Sequence, residues 1–147
     1  MSRRDQIRMT EEEVAAYLAE PHLCTIGTFG PGGTIHLVAM NYGFLDGAPA
    51  FWTYGKAQKT KNLERNPAIT MLVDSGKKYS DLKGVQMQGH AELHPGVDSV
   101  LALADSMGDR YGRMADDARA SATKRVAVRI VVDKTVSWDH SKLGGRY

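Results

Sequence analysis

The sequence predicts a mainly β, α+β fold, an antiparallel sheet with short flanking helices forming a single domain over residues 1–147. Three observations carry this expectation. Runs rich in Val, Ile, Thr and aromatic residues recur along the chain, and glycine-rich or Asp-Gly turn signals separate the first of them at hairpin distance. At 147 residues, the chain fits one cored domain comfortably and two poorly. No repeat, low-complexity tract or long linker interrupts it.

The first element is a helix over 10–18. Thr10 and Glu13 have capping-box spacing, Glu11, Glu12 and Glu13 complement the positive end of the helix dipole, and Pro21 stops it. Val14, Tyr17 and Leu18 share one face, which should pack on a sheet. Strands follow at 22–29 and 34–44, separated by Gly30-Pro31-Gly32-Gly33 as a hairpin turn. Asp46-Gly47 is a second turn and 50–54 a third strand, antiparallel to the second, so the three are expected in meander order. A short polar surface helix is expected from Lys56 to Asn66-Pro67, then a strand over 68–73 and a polar loop over 74–83. The strand 85–93 alternates apolar or small residues with Gln86, Gln88, His90 and Glu92, a polar face that needs an explanation. Pro95 should open a helix running to about Tyr111, followed by a second short helix over 115–123. Residues 126–132 are the most β-branched run and should form a central strand, with 135–138 as a further pairing segment.

Composition excludes several classes. Apolar residues are 42% and charged residues 24%, as in globular domains. With 19 Lys plus Arg against 17 Asp plus Glu, the net charge of +2 argues against a surface devoted to nucleic acid or anionic membrane, while permitting a local basic pocket. No apolar run approaches the roughly 20 residues of a membrane span, and residues 1–8 lack the apolar stretch of a signal peptide. A cytoplasmic protein is expected. Cys24 is the only cysteine, which excludes intrachain disulfides and thiolate zinc sites, and its apolar setting suggests a buried strand residue.

The familiar catalytic motifs are missing. The glycine-rich 27–33 segment lacks G-x-G-x-x-G spacing and leads into a strand, so no helix start awaits a pyrophosphate. His90-Ala91-Glu92-Leu93-His94 has its Glu one place late for a zinc motif and lies in a strand, so no metal is expected. No G-x-S-x-G elbow is present. What stands out is the strand Phe51-Trp52-Thr53-Tyr54 passing through Gly55 into Lys56-Ala57-Gln58-Lys59-Thr60-Lys61-Asn62. A helix start offers free amide donors to a phosphate, and lysines there oppose the helix dipole unless an anion neutralises them. The segment equally suits a solvated helix face.

This segment, continuing through Leu63-Glu64-Arg65-Asn66-Pro67-Ala68, resembles the phosphate-binding stretch of the pyridoxamine 5′-phosphate oxidase-like split β-barrel proteins, and within them the flavin/deazaflavin oxidoreductases. The resemblance extends to Val85-Gln86-Met87-Gln88-Gly89-His90-Ala91-Glu92 and to the ending 137–147, covering nearly the whole chain. It implies an FMN-binding split β-barrel, a homodimer with its cofactor in the groove between subunits, and a small-molecule substrate. It also implies that Lys59 and Lys56 contact the phosphate, with Gln58, Thr60 and Asn62 as accessory contacts. Met40, Asn41, Thr53 and Tyr54 would line the ring and ribityl chain. Gln86, Gln88, Trp138 and Lys142 would reach in from the second subunit. The arginine-rich substrate phosphate site of the strict oxidase is missing, which speaks against pyridoxamine phosphate oxidation. The likeness to the deazaflavin branch favours coenzyme F420, with FMN as the alternative cofactor and a cofactor carrier without turnover as the alternative role. Lys77 and Lys78 could serve the acidic F420 tail. Tyr79, His36 and His90 are conceivable proton donors, and none is assigned.

Overall fold

A computed structural model describes residues 1–112 and 114–146, so Tyr147 lies outside the described residues. Ser2 and Asp5 form a capping box that starts a short helix, α1 (Arg3–Ile7), which local periodicity does not announce. Thr10 Oγ1 accepts the Glu13 N–H at 3.1 Å and begins α2 (Glu11–Ala19). The expected box closes on one side only, because the Glu13 carboxylate pairs with Lys142 Nζ at 2.8 Å.

β1 (Cys24–Phe29) and β2 (Ile35–Met40) form the expected hairpin, with Gly32 and Gly33 supplying the positive φ angles of its turn. β3 (Gly43–Leu45) and β4 (Ala48–Tyr54) form another across Asp46-Gly47, both at positive φ, as a two-residue turn requires. The expected meander does not form. The 34–44 run breaks at Asn41-Tyr42, and its two halves join different hairpins. α3 (Gln58–Arg65) leads to β5 (Ala68–Ser75) and then to β6 (Lys83–Pro95). Pro95 ends β6 instead of opening a helix; Gly96, at φ 133°, makes the turn and α4 begins at Val97. α4 (Val97–Tyr111) and α5 (Met114–Ala120) precede β7 (Arg125–Asp139), which merges the two C-terminal pairing segments into one strand.

The sheet order is β2-β1-β5-β6-β7-β4-β3, antiparallel throughout. Its two edge strands, β2 and β3, are joined by Asn41 and Tyr42 alone. So short a link can join opposite edges only if the sheet curls round, which gives an open barrel with a seam. A bulge at Gln88/Gly89 sharpens the curl; a Cβ on Gly89 would strike the Val131 carbonyl, so only glycine fits.

The barrel encloses Ile26, Phe51, Met71, Val73, Val85, Met87, Val128 and Ile130, with Met9, Tyr17 and Leu18 packed against them. Each such side chain stabilises the fold by roughly 1.5–3 kcal/mol relative to exposure. A second cluster joins Trp52, Leu45 and Ala127 to Val100, Leu103, Ala104 and Met107 of α4. β4 is thus covered on both faces, Phe51 toward the barrel and Trp52 toward the helices. Cys24 is buried in the barrel cluster, where desolvation pushes its thiol up to about 12, so it packs and does not react.

Candidate functional site

At the seam, β2 and β4 approach without pairing. Ala39, Met40 and Asn41 from one side, Trp52, Thr53 and Tyr54 from the other, and Lys59 and Arg125 line a cavity of 290 Å³. Five residues expected from the sequence, Met40, Asn41, Thr53, Tyr54 and Lys59, are brought together there.

β4 brings its last three residues, Trp52, Thr53 and Tyr54, to this cavity. Thr53 is buried, 3% exposed, yet its Oγ1 has no hydrogen-bond partner among the described residues. An orphan hydroxyl costs about 1–3 kcal/mol, and such atoms mark places where a water or ligand belongs. α3 then begins beside it with Ala57 as an N-cap that has no side-chain hydrogen bond. Its first amides therefore lack the usual oxygen acceptor. Lys59 stands in this first turn, half-buried, and desolvation holds its ammonium below the usual lysine range. A desolvated cation beside uncapped amides has the chemistry to receive an anion.

Arg125 is the residue that sequence reasoning missed. It opens β7, donates through Nε to Ser121 Oγ at 2.8 Å and through Nη2 to Tyr54 Oη at 3.2 Å, and lies over the Tyr54 ring at 4.4 Å. The turn before it is held to the site, since Gly55 N–H donates to the Lys124 carbonyl at 3.1 Å. Nothing local in the sequence distinguishes this arginine; register with β4, Tyr54 opposite Arg125, brings it in.

The other expected residues lie elsewhere. Lys56, ahead of α3, and Gln58, its first residue, are exposed. The helix is not wholly a surface element: Thr60, Asn62 and Leu63 are buried. Thr60 Oγ1 donates to the Tyr54 carbonyl at 2.7 Å, and Asn62 Nδ2 donates to Thr28 Oγ1 at 3.1 Å while its Oδ1 accepts from Gln58 Nε2 at 2.8 Å. Both fasten α3 to the barrel. Gln86 and Gln88 sit on β6, bonded to each other at 3.4 Å. Gln88 also lines a largely apolar recess with Phe29, Ile35, Leu37 and Ile69. Trp138 lies over Gly84, and Lys142 Nζ binds the Arg8 carbonyl and the Glu13 carboxylate. Lys77 and Lys78 are exposed in the loop after β5. Among the described residues, no three His, Cys, Asp or Glu side chains gather as a metal site, and no helix is long and apolar enough to cross a membrane.

The family model described as Pyridoxamine 5′-phosphate oxidase matches residues 10–139. A conserved hypothetical protein from Mycobacterium tuberculosis has a solved structure that is 36% identical, with a TM-score of 0.87 over 100% of this chain and 95% of that chain. A structure described as an F420 reductase is 24% identical, with a TM-score of 0.65 over 82% of this chain and 93% of that one. A heme storage protein from Vibrio cholerae is 17% identical, with a TM-score of 0.72 over 89% of this chain and 97% of that one. The last two show a shared fold. No curated protein matches the sequence.

Proposed function

The chain belongs to the pyridoxamine 5′-phosphate oxidase family, and from that premise we propose that it is a reductase of small conjugated organic molecules that uses coenzyme F420. The observation that carries the reading is the seam cavity, where an orphan hydroxyl, an uncapped helix start and two cations, Lys59 and Arg125, meet beside Trp52 and Met40. These residues fit a cofactor with a planar ring and a phosphate. Lys59 and the first amides of α3 would hold the phosphate, Arg125 would add charge, and Thr53 Oγ1 would find its partner in a polar atom of the ring or ribityl chain. Trp52 and Met40 would keep water from the ring. Bound there, the deazaflavin would supply a hydride; the protein need supply only orientation and a dry wall. The Lys59-Thr60-Lys61-Asn62-Leu63 resemblance to the deazaflavin branch favours F420, and the family as a whole leaves FMN as the second reading.

The cavity is small. At 290 Å³ it falls just below the size of ligand sites, which run from about 300 to 1,000 Å³. A second copy would enlarge it, and the exposed Phe29, Ile35 and Leu37 beside Gln88 offer an apolar face for a homodimer. Titration with F420, followed by its fluorescence, and in parallel with FMN, tests the cofactor. Saturable binding of F420, weakened at least tenfold in Lys59→Ala, is the expected result. FMN binding without F420 binding would replace the proposal with the FMN reading, and tight F420 binding without turnover of enones or quinones would leave a carrier. Light scattering tests the dimer.

A further inference from the structure

β7 pairs with β4 only over its first five residues, Arg125 to Arg129, and with β6 along nearly its whole length. From Ile130 to Asp139 its second edge has no strand partner among the described residues. A free edge presents a row of backbone donors and acceptors. The N-terminal arm comes back onto this edge at Ser137, where the Met9 N–H donates to Ser137 Oγ at 3.1 Å. Between them lies a groove of 540 Å³ lined by Lys134, Thr135, Val136 and Ser137 from β7 and by Arg4, Arg8, Met9, Glu11 and Val14 from the arm and α2.

Four consecutive strand residues touch this groove. Alternate residues of a strand point to opposite faces, so a cavity that meets all four sits on the strand's edge and not on a face. Its rim is cationic: Arg4 and Lys134 form no ion pair among the described residues, and Arg8 is shared with Asp5 at 2.9 Å, against the single carboxylate of Glu11 in the lining. Val14 and Val136 add apolar wall. None of these residues lines the seam cavity, and Arg125 and Lys134 are nine positions apart on β7, roughly 30 Å along an extended strand.

We propose that this groove binds an extended acidic peptide, which adds a short strand to the free edge of β7 and sets its carboxylates against Arg4, Arg8 and Lys134. Backbone hydrogen bonds give affinity in this mode, and the cationic rim selects acidic side chains. Alternation of acidic and apolar residues matches a groove with charge on its rim and valines in its wall.

The test is fluorescence anisotropy of the intact protein with a fluorescein-labelled Glu-Val-Glu-Val-Glu-Val peptide. Saturable binding is expected, with no binding of the Lys-Val counterpart. Two analogues N-methylated on alternate amides separate edge pairing from charge attraction: one should lose binding more than tenfold and the other keep it. The double variant R4E/K134E, checked for fold by circular dichroism, should bind the parent peptide at least tenfold more weakly. Equal binding of both N-methylated analogues, equal binding of the Lys-Val peptide, or an unaffected double variant would overturn the proposal. So would failure of the acidic peptide to bind, whether decanoate, a small amphipathic anion, takes the groove instead or the double variant dissociates a dimer and a second copy fills the edge.

Discussion

Two arginines, Arg110 in the last turn of α4 and Arg125 at the start of β7, sit in contrasting surroundings. Arg110, near the end of α4, donates to the Tyr42 carbonyl at 2.6 Å, the Leu18 carbonyl at 2.7 Å and the Ala19 carbonyl at 3.3 Å, and stacks on Tyr42 at 4.2 Å. It satisfies the last carbonyls of α2 and ties them to the link between β2 and β3. Tyr42, buried beneath it, donates to the Leu18 carbonyl at 2.7 Å, and desolvation pushes its phenol up to about 12. Around Arg125 the pattern is reversed: among the described residues, a buried threonine without a partner, a helix without a side-chain cap and a desolvated lysine without a carboxylate. A saturated polar cluster holds a fold together. An unsaturated one leaves polar groups without a protein partner among the described residues.

That contrast can be broken by mutation. The largest effect should come from Arg110→Ala, which strips several carbonyls of their donor and should lower stability by about 3 kcal/mol in denaturant unfolding. Lys59→Ala should do the opposite: unfolding within about 0.5 kcal/mol of the parent, because no intramolecular partner is lost, while cofactor affinity falls tenfold or more in the titration described above. Stability losses of equal size in the two variants would erase the distinction. The pH dependence is sharper still. Burial holds the free Lys59 pKa down, and a bound anion raises it, so binding takes up a proton once the pH exceeds the free value. Affinity should therefore be full below that depressed pKa and decline as pH rises through it, measurable by titrations at successive pH values. The smallest effect is expected of Thr53→Val, which removes an orphan hydroxyl in nearly the same volume. It should leave melting unchanged or slightly raised and weaken the cofactor a few-fold; a clear loss of stability would show that the hydroxyl already has a partner.

What the chain reveals to a reader follows how local each feature is. The Asp46-Gly47 turn and the Thr10 cap rest on neighbours in sequence and are plain there. The helix start at Lys59 is likewise visible, as is the strand end before it. The break at Asn41-Tyr42 is not, since the β-rich run continues through it and only pairing with strands far along the chain divides it. Thr60 and Asn62 read as surface polar residues because spacing places them on helix faces without saying which face turns inward; their partners, the Tyr54 carbonyl and Thr28, decide that. Arg125 lies seventy-one positions beyond Tyr54, and no pattern in its own segment signals the meeting. The polar face of β6 has one part explained: Glu92 accepts from Arg129 at 3.0 Å, which also binds the Leu45 carbonyl and so braces the β3–β4 hairpin.

The link of Asn41 and Tyr42 makes the barrel a hoop fastened at one point. Its edges cannot drift apart without stretching two peptide units, and those units border both the Arg110 anchor and the seam cavity. A molecule lodged in the seam would act as a clasp on that hoop, spreading its grip around the circumference, so that filling one small opening stiffens staves on the far side that it never touches.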